Sequence, residues 1–97
     1  MTTPIDLTVR FLAKPGQEEA LAQALAVLVP PTRAEDGCLR FEAVRGTEAP
    51  AQFLLIERWA GQAPLAAHGS QPHLQAFVAQ HPALLAAPPE AVFWQPL

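Results

Sequence analysis

The sequence predicts an α+β domain of the ferredoxin-like class, in which strands and helices follow the order βαββαβ. Three observations support this prediction: an alternating strand pattern at the start, two segments with helical apolar spacing, and two central strands separated by a short turn. The chain has the length of one domain, which we assign to residues 1–97. Its hydrophobic content of 51% is sufficient for a packed core.

The first strand and the first helix are predicted from their apolar periodicity. Residues 5–13 (IDLTVRFLA) alternate between apolar and polar side chains, which is typical of a half-buried strand. Apolar residues recur with helical spacing in residues 17–29. We expect Pro30 and Pro31 to end or kink this helix because proline lacks the backbone N–H.

The second half of the chain supplies the remaining elements. The short, turn-rich link between two apolar segments predicts an antiparallel hairpin. Pro64 and Pro72 can each begin a short helix, and Pro96 limits the last strand to an edge or an end. The predicted elements are strands at 38–46 and 53–60, helices at 63–69 and 72–80, and a strand at 91–97.

The predicted sheet has one face that its own helices leave uncovered. Strand 53–60 is apolar on both sides, because Leu54 and Ile56 face one way and Leu55 and Trp59 face the other. An apolar face of this size usually marks an interface. We therefore expect a second copy of the chain to cover it, giving a homodimer built as an α/β-barrel.

Composition and charge exclude several classes of function. The net charge is −3 and the six cationic residues are scattered, which argues against nucleic-acid binding. No apolar run approaches about 18 residues, so no membrane span is expected. The N-terminus lacks the pattern of a signal peptide. A single cysteine cannot form an internal disulfide, so a reduced, cytoplasmic location is expected.

Three segments carry a resemblance to a known family. KPGQEEAL, PTRAEDGCLRFEAVRG and FLLIERWAGQAPLAAHGSQPHLQAF together resemble the antibiotic biosynthesis monooxygenase family, including its small quinol monooxygenase members. The resemblance runs in order from about residue 5 to 95. It implies a dimeric α+β barrel. It also implies, for some members, oxygenation of quinol or polyphenol-like aromatics without metal, flavin or haem.

The stretch from residue 57 to 77 holds the candidate catalytic residues. His68 matches a histidine of the family and is our candidate base, since an imidazole suits proton transfer at neutral pH. The alternative is a helix-end histidine bonded to a carbonyl or carboxylate. Glu57 could orient His68, or form a structural ion pair with Arg10, Arg40 or His68. Trp59 could stack on an aromatic substrate, or could be a core residue.

A second group of residues is assigned to substrate binding. Arg10 and Arg40 are candidates for polar contacts with the substrate, and Phe41 and Phe53 for its apolar wall. Phe41 stands where many family members have tyrosine. His73 is a weaker candidate because a positive imidazolium is disfavoured near a helix N-terminus.

No metal site is expected from the spacing of the candidate ligands. On a continuous helix, His68 and His73 would lie about 140° apart and would not share a face. Adding Glu57 or His81 produces no familiar ligand pattern. We predict that His81 is a helix-end or surface residue and that Cys38 is a small buried hydrophobic residue.

The sequence therefore favours a cofactor-independent monooxygenase acting on a quinol or related small aromatic. Two alternatives stay open. One is a non-catalytic dimer that binds a small molecule or regulates a partner. The other is a non-oxidative isomerase or decarboxylase that uses the same base. The chain contains no asparagine, whereas haem-degrading relatives use one on the first strand, so haem degradation is not expected.

Overall fold

The computed structural model describes residues 3–97 and confirms the ferredoxin-like fold. One antiparallel sheet has the strand order β2-β3-β1-β4, and the helices pack on one of its faces. The elements in chain order are β1 (Ile5–Leu12), α1 (Glu18–Arg33), β2 (Cys38–Arg45), β3 (Gln52–Trp59), α2 (Gln62–Gly69), α3 (Pro72–Ala79), α4 (His81–Leu84) and β4 (Glu90–Trp94).

The strand register decides which side chains face the helices. In β3 the alternate residues from Phe53 to Trp59 are buried, and the ones between them are partly or fully exposed. Glu57 pairs with Leu7 on β1 and with Phe41 on β2, so it occupies the centre of the helix-covered face. The predicted β2–β3 hairpin is confirmed, and β4 lies at the sheet edge as predicted.

The hydrophobic core lies between this sheet face and α1. Leu21, Leu25 and Leu28 form the buried stripe of α1, and none is more than 2% exposed. They pack in one cluster with Phe11 and Trp59 of the sheet. Burying side chains of this size stabilises the fold by about 1.5–3 kcal/mol each.

Helix α1 is longer than the sequence predicts. It continues through Pro30 and Pro31 to Arg33, so the prolines do not end it, and the predicted alternative of a kink stays a prediction. The two prolines are themselves exposed on the helix surface. The last turn is anchored by Thr32, which is fully buried and donates a hydrogen bond from Oγ1 to the carbonyl of Leu28 at 2.8 Å. Because Pro30 and Pro31 lack the backbone N–H, the carbonyls of Ala26 and Val27 have no helical donor, and both of these residues are exposed.

The sheet face away from the helices, which we call the open face, mixes apolar and paired polar side chains. Ile56 lies at its centre, with Trp94 on the β4 edge 58% exposed. Arg10 pairs with Glu90 at 2.9 Å. Among residues 3–97, none of the helices combines the length and the hydropathy needed to cross a membrane.

Candidate functional site

A buried histidine is hydrogen-bonded to a carboxylate from a distant part of the chain. His68 lies in the last turn of α2, and its Nδ1 is 2.8 Å from Oε2 of Glu35. Both side chains are only 8% exposed. An ionised carboxylate can only accept hydrogen bonds, so a neutral imidazole paired with it carries its proton on Nδ1. This pairing favours the tautomer whose Nε2 has a lone pair and can accept a proton.

The same carboxylate oxygen holds a second histidine. Nε2 of His73 is 2.7 Å from Oε2 of Glu35, and the His73 side chain is 20% exposed. Pro72 begins α3 and places His73 in its first turn. We refer to Glu35, His68 and His73 as the Glu35 cluster.

A glycine turn brings Glu35 to the histidines. Gly37 has φ of +80°, and a side chain there would meet the Pro64 ring at 2.5 Å. Its carbonyl accepts a hydrogen bond from the Ala60 N–H at 2.8 Å, and the Glu35 carbonyl accepts one from Cys38 at 3.2 Å. The loop between α1 and β2 is thus fixed against the junction of β3 and α2. Only glycine permits both this backbone conformation and this close approach.

Aromatic rings hold the His68 ring from the sheet side. The Trp59 and His68 ring centroids are 4.7 Å apart with an interplanar angle of 33°, and Phe41 contacts His68 edge-on at 5.8 Å. Trp59 Nε1 donates a hydrogen bond to Oε1 of Glu57 at 2.9 Å. Trp59 therefore links the buried carboxyl of Glu57 to the packing around His68.

Glu57 is a carboxyl group in an apolar setting. It is 5% exposed, and burial raises its pKa above the ordinary value. The hydrogen bond from Trp59 and the nearby His68 oppose the rise in this pKa, while the charge of Glu35 adds to it. The acid form of Glu57 is therefore more populated near neutral pH than for an exposed glutamate.

His68 and Glu57 line one cavity between the sheet and the short helices. Its volume is about 210 Å³, and its accessible surface is almost entirely apolar. His81 is the third polar residue of the lining, and no arginine or lysine among residues 3–97 contributes. The apolar lining residues are Leu7, Val9, Phe11, Leu55, Leu65, Leu74, Phe77 and Pro89. An apolar cavity with a few polar groups is typical of a small-molecule site.

A larger groove of about 400 Å³ lies between α1 and β2, away from the histidines. Phe53 lines this groove, together with Arg33 and Arg45. Arg33 donates to the Phe41 carbonyl, and Arg45 pairs with Glu19, so both guanidinium groups are already engaged. The groove contains no group suited to act as a base, and we place the candidate site in the smaller cavity.

The structure corrects the expected partners of Glu57. Arg10 and Arg40 lie on the open face, where Arg10 pairs with Glu90 and Arg40 pairs with Glu42 at 2.8 Å. Neither arginine reaches Glu57, because strand pleating directs their side chains to the opposite face of the sheet. Nor does Glu57 orient His68, whose carboxylate partner is Glu35. The structure thus separates both arginines from the cavity that His68 lines, and their assignment to substrate binding stays a prediction.

Other expected wall residues lie outside the cavity. Trp59 has no exposed surface, so its ring has no free face for a substrate to stack on. Phe41 and Phe53 lie on the helix-covered face of the sheet but do not line the cavity. His73 does not line the cavity either, and its Nε2 contacts Glu35.

His81 and Cys38 are both partly buried. His81 begins α4, which confirms the helix-end alternative of its prediction. Its ring packs 4.7 Å from the Phe77 ring, and burial lowers the pKa of His81. Among residues 3–97, His81 Nε2 is the single buried side-chain nitrogen or oxygen without a hydrogen-bond partner. Cys38 is partly buried, and burial together with the charges of Glu35 and Glu57 raises its pKa, which disfavours the thiolate.

Sequence reasoning missed Glu35. The signal that could have found it is topological: the start of β2 pairs with the end of β3, where Cys38 lies opposite Trp59. Residues just before Cys38 must therefore lie beside the helix that follows Trp59, which carries His68.

The ligand-type atoms of the Glu35 cluster all lie within 4.8 Å of one another, so the cluster could also hold a metal ion. The expectation of no metal site was reached without Glu35.

The chain is similar to known proteins over most of its length. Residues 4–80 match the model of the antibiotic biosynthesis monooxygenase family. The chain is 32% identical over 97 residues to Rv0793 of Mycobacterium tuberculosis, covering 100% of this chain and 95% of that protein. It is 30% identical over 79 residues to YcnE of Bacillus subtilis, covering 81% and 83% of the two chains. Both relatives are provisionally named as monooxygenases.

Solved structures agree with these sequence matches. The structure of Rv0793 superimposes with a TM-score of 0.90 at 30% identity, covering 98% of this chain and 96% of that one. The crystal structure of PA3566 from Pseudomonas aeruginosa gives a TM-score of 0.94 at 34% identity, covering 100% and 97%.

Proposed function

Because the chain belongs to the antibiotic biosynthesis monooxygenase family, we propose that it is a monooxygenase that oxidises a quinol or polyphenol-like aromatic with O2. The observation that supports this most directly is the state of His68. Its Nδ1 is bonded to Glu35, its Nε2 is available, and the residue lines an apolar cavity. We propose that the reaction uses no metal, flavin or haem. The provisional monooxygenase names of two relatives support the same reaction class.

The proposed reaction begins with removal of a proton. His68 Nε2 accepts the proton of a substrate hydroxyl, and Glu35 stabilises the imidazolium that forms. The electron-rich anion then transfers one electron to O2, and the resulting substrate radical and superoxide combine to form a C–O bond. Because ground-state O2 reacts slowly with neutral closed-shell molecules, formation of the anion is the step that a base accelerates. Proton transfer of this kind contributes about 10²–10⁴-fold to a rate.

The oxygen atoms and protons balance without an external reductant. The proton held by His68 passes to the terminal oxygen of the peroxide. Removal of the hydrogen on the oxygenated carbon then breaks the O–O bond, leaving a carbonyl on the substrate. The second oxygen leaves as water, with both hydrogens supplied by the substrate.

Glu57 and Trp59 have supporting roles in this proposal. Oε1 of Glu57 accepts the Trp59 hydrogen bond, and the carboxyl group lines the cavity beside His68. The raised pKa of Glu57 favours its acid form, which can donate a hydrogen bond to a substrate oxygen. Trp59 acts as a positioning residue, since it contacts His68 and Glu57 and lacks exposed surface.

We also propose that a second copy of the chain covers the open face. Ile56 and its apolar neighbours occupy the middle of this face, and the side chains of β4 are exposed along its edge. Isologous pairing of two such faces would bury this surface and form the α/β-barrel that the sequence suggests. A cytoplasmic location is proposed from the single cysteine alone.

Oxygen uptake by the metal-stripped protein tests the proposed reaction. The substrates are a small panel of naphthoquinols, anthrones and hydroxyquinols, each measured against its own autoxidation. We expect catalysed uptake that falls about 10²–10⁴-fold in His68→Ala and is unchanged in Glu48→Gln, an exposed carboxylate outside the site. Uptake equal in wild type and His68→Ala would contradict the assignment of the base.

The same base and cavity also suit proton transfer without O2. A non-oxidative isomerase or decarboxylase would turn over its substrate under anaerobic conditions, whereas the monooxygenase would not. Running the panel with and without O2 therefore separates the two reaction classes.

A further inference from the structure

We propose that the Glu35 cluster binds one divalent transition-metal ion of the zinc class. The ligands would be Oε2 of Glu35, Nδ1 of His68 and Nε2 of His73, which all lie within 4.8 Å of one another. Two imidazole nitrogens and one carboxylate oxygen are an established ligand set for Zn²⁺, Co²⁺ and Fe²⁺. This inference goes beyond the proposed reaction, which uses the cluster without metal.

The three ligands are held in place before any ion binds. They come from the loop after α1, from α2 and from α3, and the loop is fixed by the glycine turn at Gly37. The side chains are 8%, 8% and 20% exposed for Glu35, His68 and His73. Because buried, ordered ligands lose little conformational freedom on binding, most of the interaction free energy contributes to the affinity for the ion. The charge of the carboxylate favours a cation at the same point.

The distances require only a small adjustment. Glu35 Oε2 is now 2.8 Å and 2.7 Å from the two nitrogens, which are hydrogen-bond lengths. Around a tetrahedral ion with bonds of about 2.0–2.2 Å, neighbouring ligand atoms lie roughly 3.3 Å apart. The two Glu35–histidine separations must therefore each open by about half an ångström, and the two histidine nitrogens, which now lie within 4.8 Å of each other, must also come to roughly 3.3 Å. Rotation of the three side chains can supply these movements. Three protein ligands leave a fourth position for water.

Binding changes where the protons are, with no oxidation or reduction. Each histidine must present a lone pair to the ion, so the proton on Nδ1 of His68 moves to Nε2, and the proton on Nε2 of His73 moves to Nδ1. In the metal-bound form Nε2 of His68 is a donor and cannot accept a substrate proton. The metal-bound and base-competent forms of the cluster are therefore mutually exclusive.

The chain offers an internal control, because it contains three histidines and only two belong to the cluster. We would titrate protein labelled with ¹⁵N in the histidine rings with Zn²⁺, after chelator treatment and dialysis. The ring signals of His68 and His73 should shift and saturate at one ion per chain, while those of His81 should stay unchanged. Co²⁺ should give visible d–d absorption with the same stoichiometry.

Variants separate a built site from incidental binding. Loss of an outer-shell partner alone costs about 10–100-fold in metal affinity, so Glu35→Gln and His73→Ala should each weaken Co²⁺ binding at least that much. Glu48→Gln, and Cys38→Ala as a check on thiol binding, should bind like wild type. Absence of saturable binding, or equal affinity in wild type and both cluster variants, would overturn the proposal. These readouts need no turnover, so they stand apart from the test of the proposed reaction.

Discussion

Nδ1 of His68 lies 2.8 Å from Oε2 of Glu35, and this one contact joins a helix end to a loop that precedes it by 33 residues. It fixes the tautomer of the histidine and supplies a negative charge beside it. The base and the group that orients it therefore both lie at the open end of the β2–β3 hairpin, where Cys38 pairs with Trp59.

Removing the charge of Glu35 should slow the proposed reaction while leaving the fold in place. In Glu35→Gln the amide lacks the charge that stabilises the imidazolium, so kcat should fall roughly 10–100-fold, less than on removal of His68 itself. KM should change little, because Glu35 does not line the cavity. Oxygen uptake with the best substrate of the panel measures both constants. Glu48→Gln is the matched control, and a change confined to KM would contradict a positioning role.

The glycine turn at Gly37 should be essential for stability. Gly37→Ala places a methyl group 2.5 Å from the Pro64 ring in a left-handed conformation, so the cost should exceed the strain of the conformation alone, about 1–2 kcal/mol. Gly16→Ala is the matched control, because Gly16 also has positive φ but nothing lies within 4 Å of the added carbon. Thermal unfolding should show a larger loss for Gly37→Ala, and about 4–8 °C per kcal/mol is expected at this size. Equal losses would mean that the Pro64 contact is relaxed in solution.

Glu57 should make stability depend on pH. Its pKa is raised in the folded state, so its contribution is fully present below the unfolded value of 4.5 and is lost as pH rises through the folded pKa. Glu57→Gln keeps an acceptor for Trp59 but cannot ionise. The free energy of unfolding of this variant, relative to wild type, should therefore rise from pH 4 to pH 8. Chemical denaturation at several pH values measures this free energy. If the free energies of unfolding of wild type and variant change in parallel with pH, the pKa of Glu57 is not raised by folding.

His81 should produce the opposite slope. Burial lowers its pKa, so its contribution is present above the unfolded value of 6.5 and is lost as pH falls through the folded pKa. His81→Phe keeps an aromatic ring against Phe77 and removes the buried unpaired nitrogen. We expect this variant to be more stable than wild type at pH 5, with a smaller difference at pH 8. A constant difference across this range would show that His81 does not titrate with unfolding.

Association through the open face can be tested by charge insertion. Ile56→Arg places a cation at the middle of the proposed interface and should convert a dimer to a monomer in light scattering. Val27→Arg is the matched control, because Val27 is 74% exposed on α1, away from the open face. Both variants should keep the far-ultraviolet circular dichroism of wild type. A wild-type protein that is monomeric at all concentrations, or a dimer that persists in Ile56→Arg, would rule out this interface.

The sheet was predictable and the Glu35 cluster was not, for physical reasons. Alternation in β1 and β3 is a local pattern, because pleating places each residue by its neighbours in sequence. The contact between Glu35 and His68 depends instead on the pairing of Cys38 with Trp59 and on the turn at Gly37. Neither follows from the residues near His68 alone. Likewise, the prolines in α1 predict an end or a kink, whereas the helix continues to Arg33 with Thr32 buried in its last turn.

The cavity wall and the base are built on different parts of the chain. Glu35 is held beside the paired start of β2 and end of β3, whereas Leu74 and Phe77 of α3 line the cavity and form no hydrogen bond with Glu35. Substitutions at Leu74 and Phe77 can therefore reshape the wall for a different aromatic skeleton, whereas His73 on the same helix must stay because it is hydrogen-bonded to Glu35. Such a division lets selection alter substrate range and chemistry separately, and makes Leu74 and Phe77 the positions to randomise when evolving a new substrate preference in the laboratory.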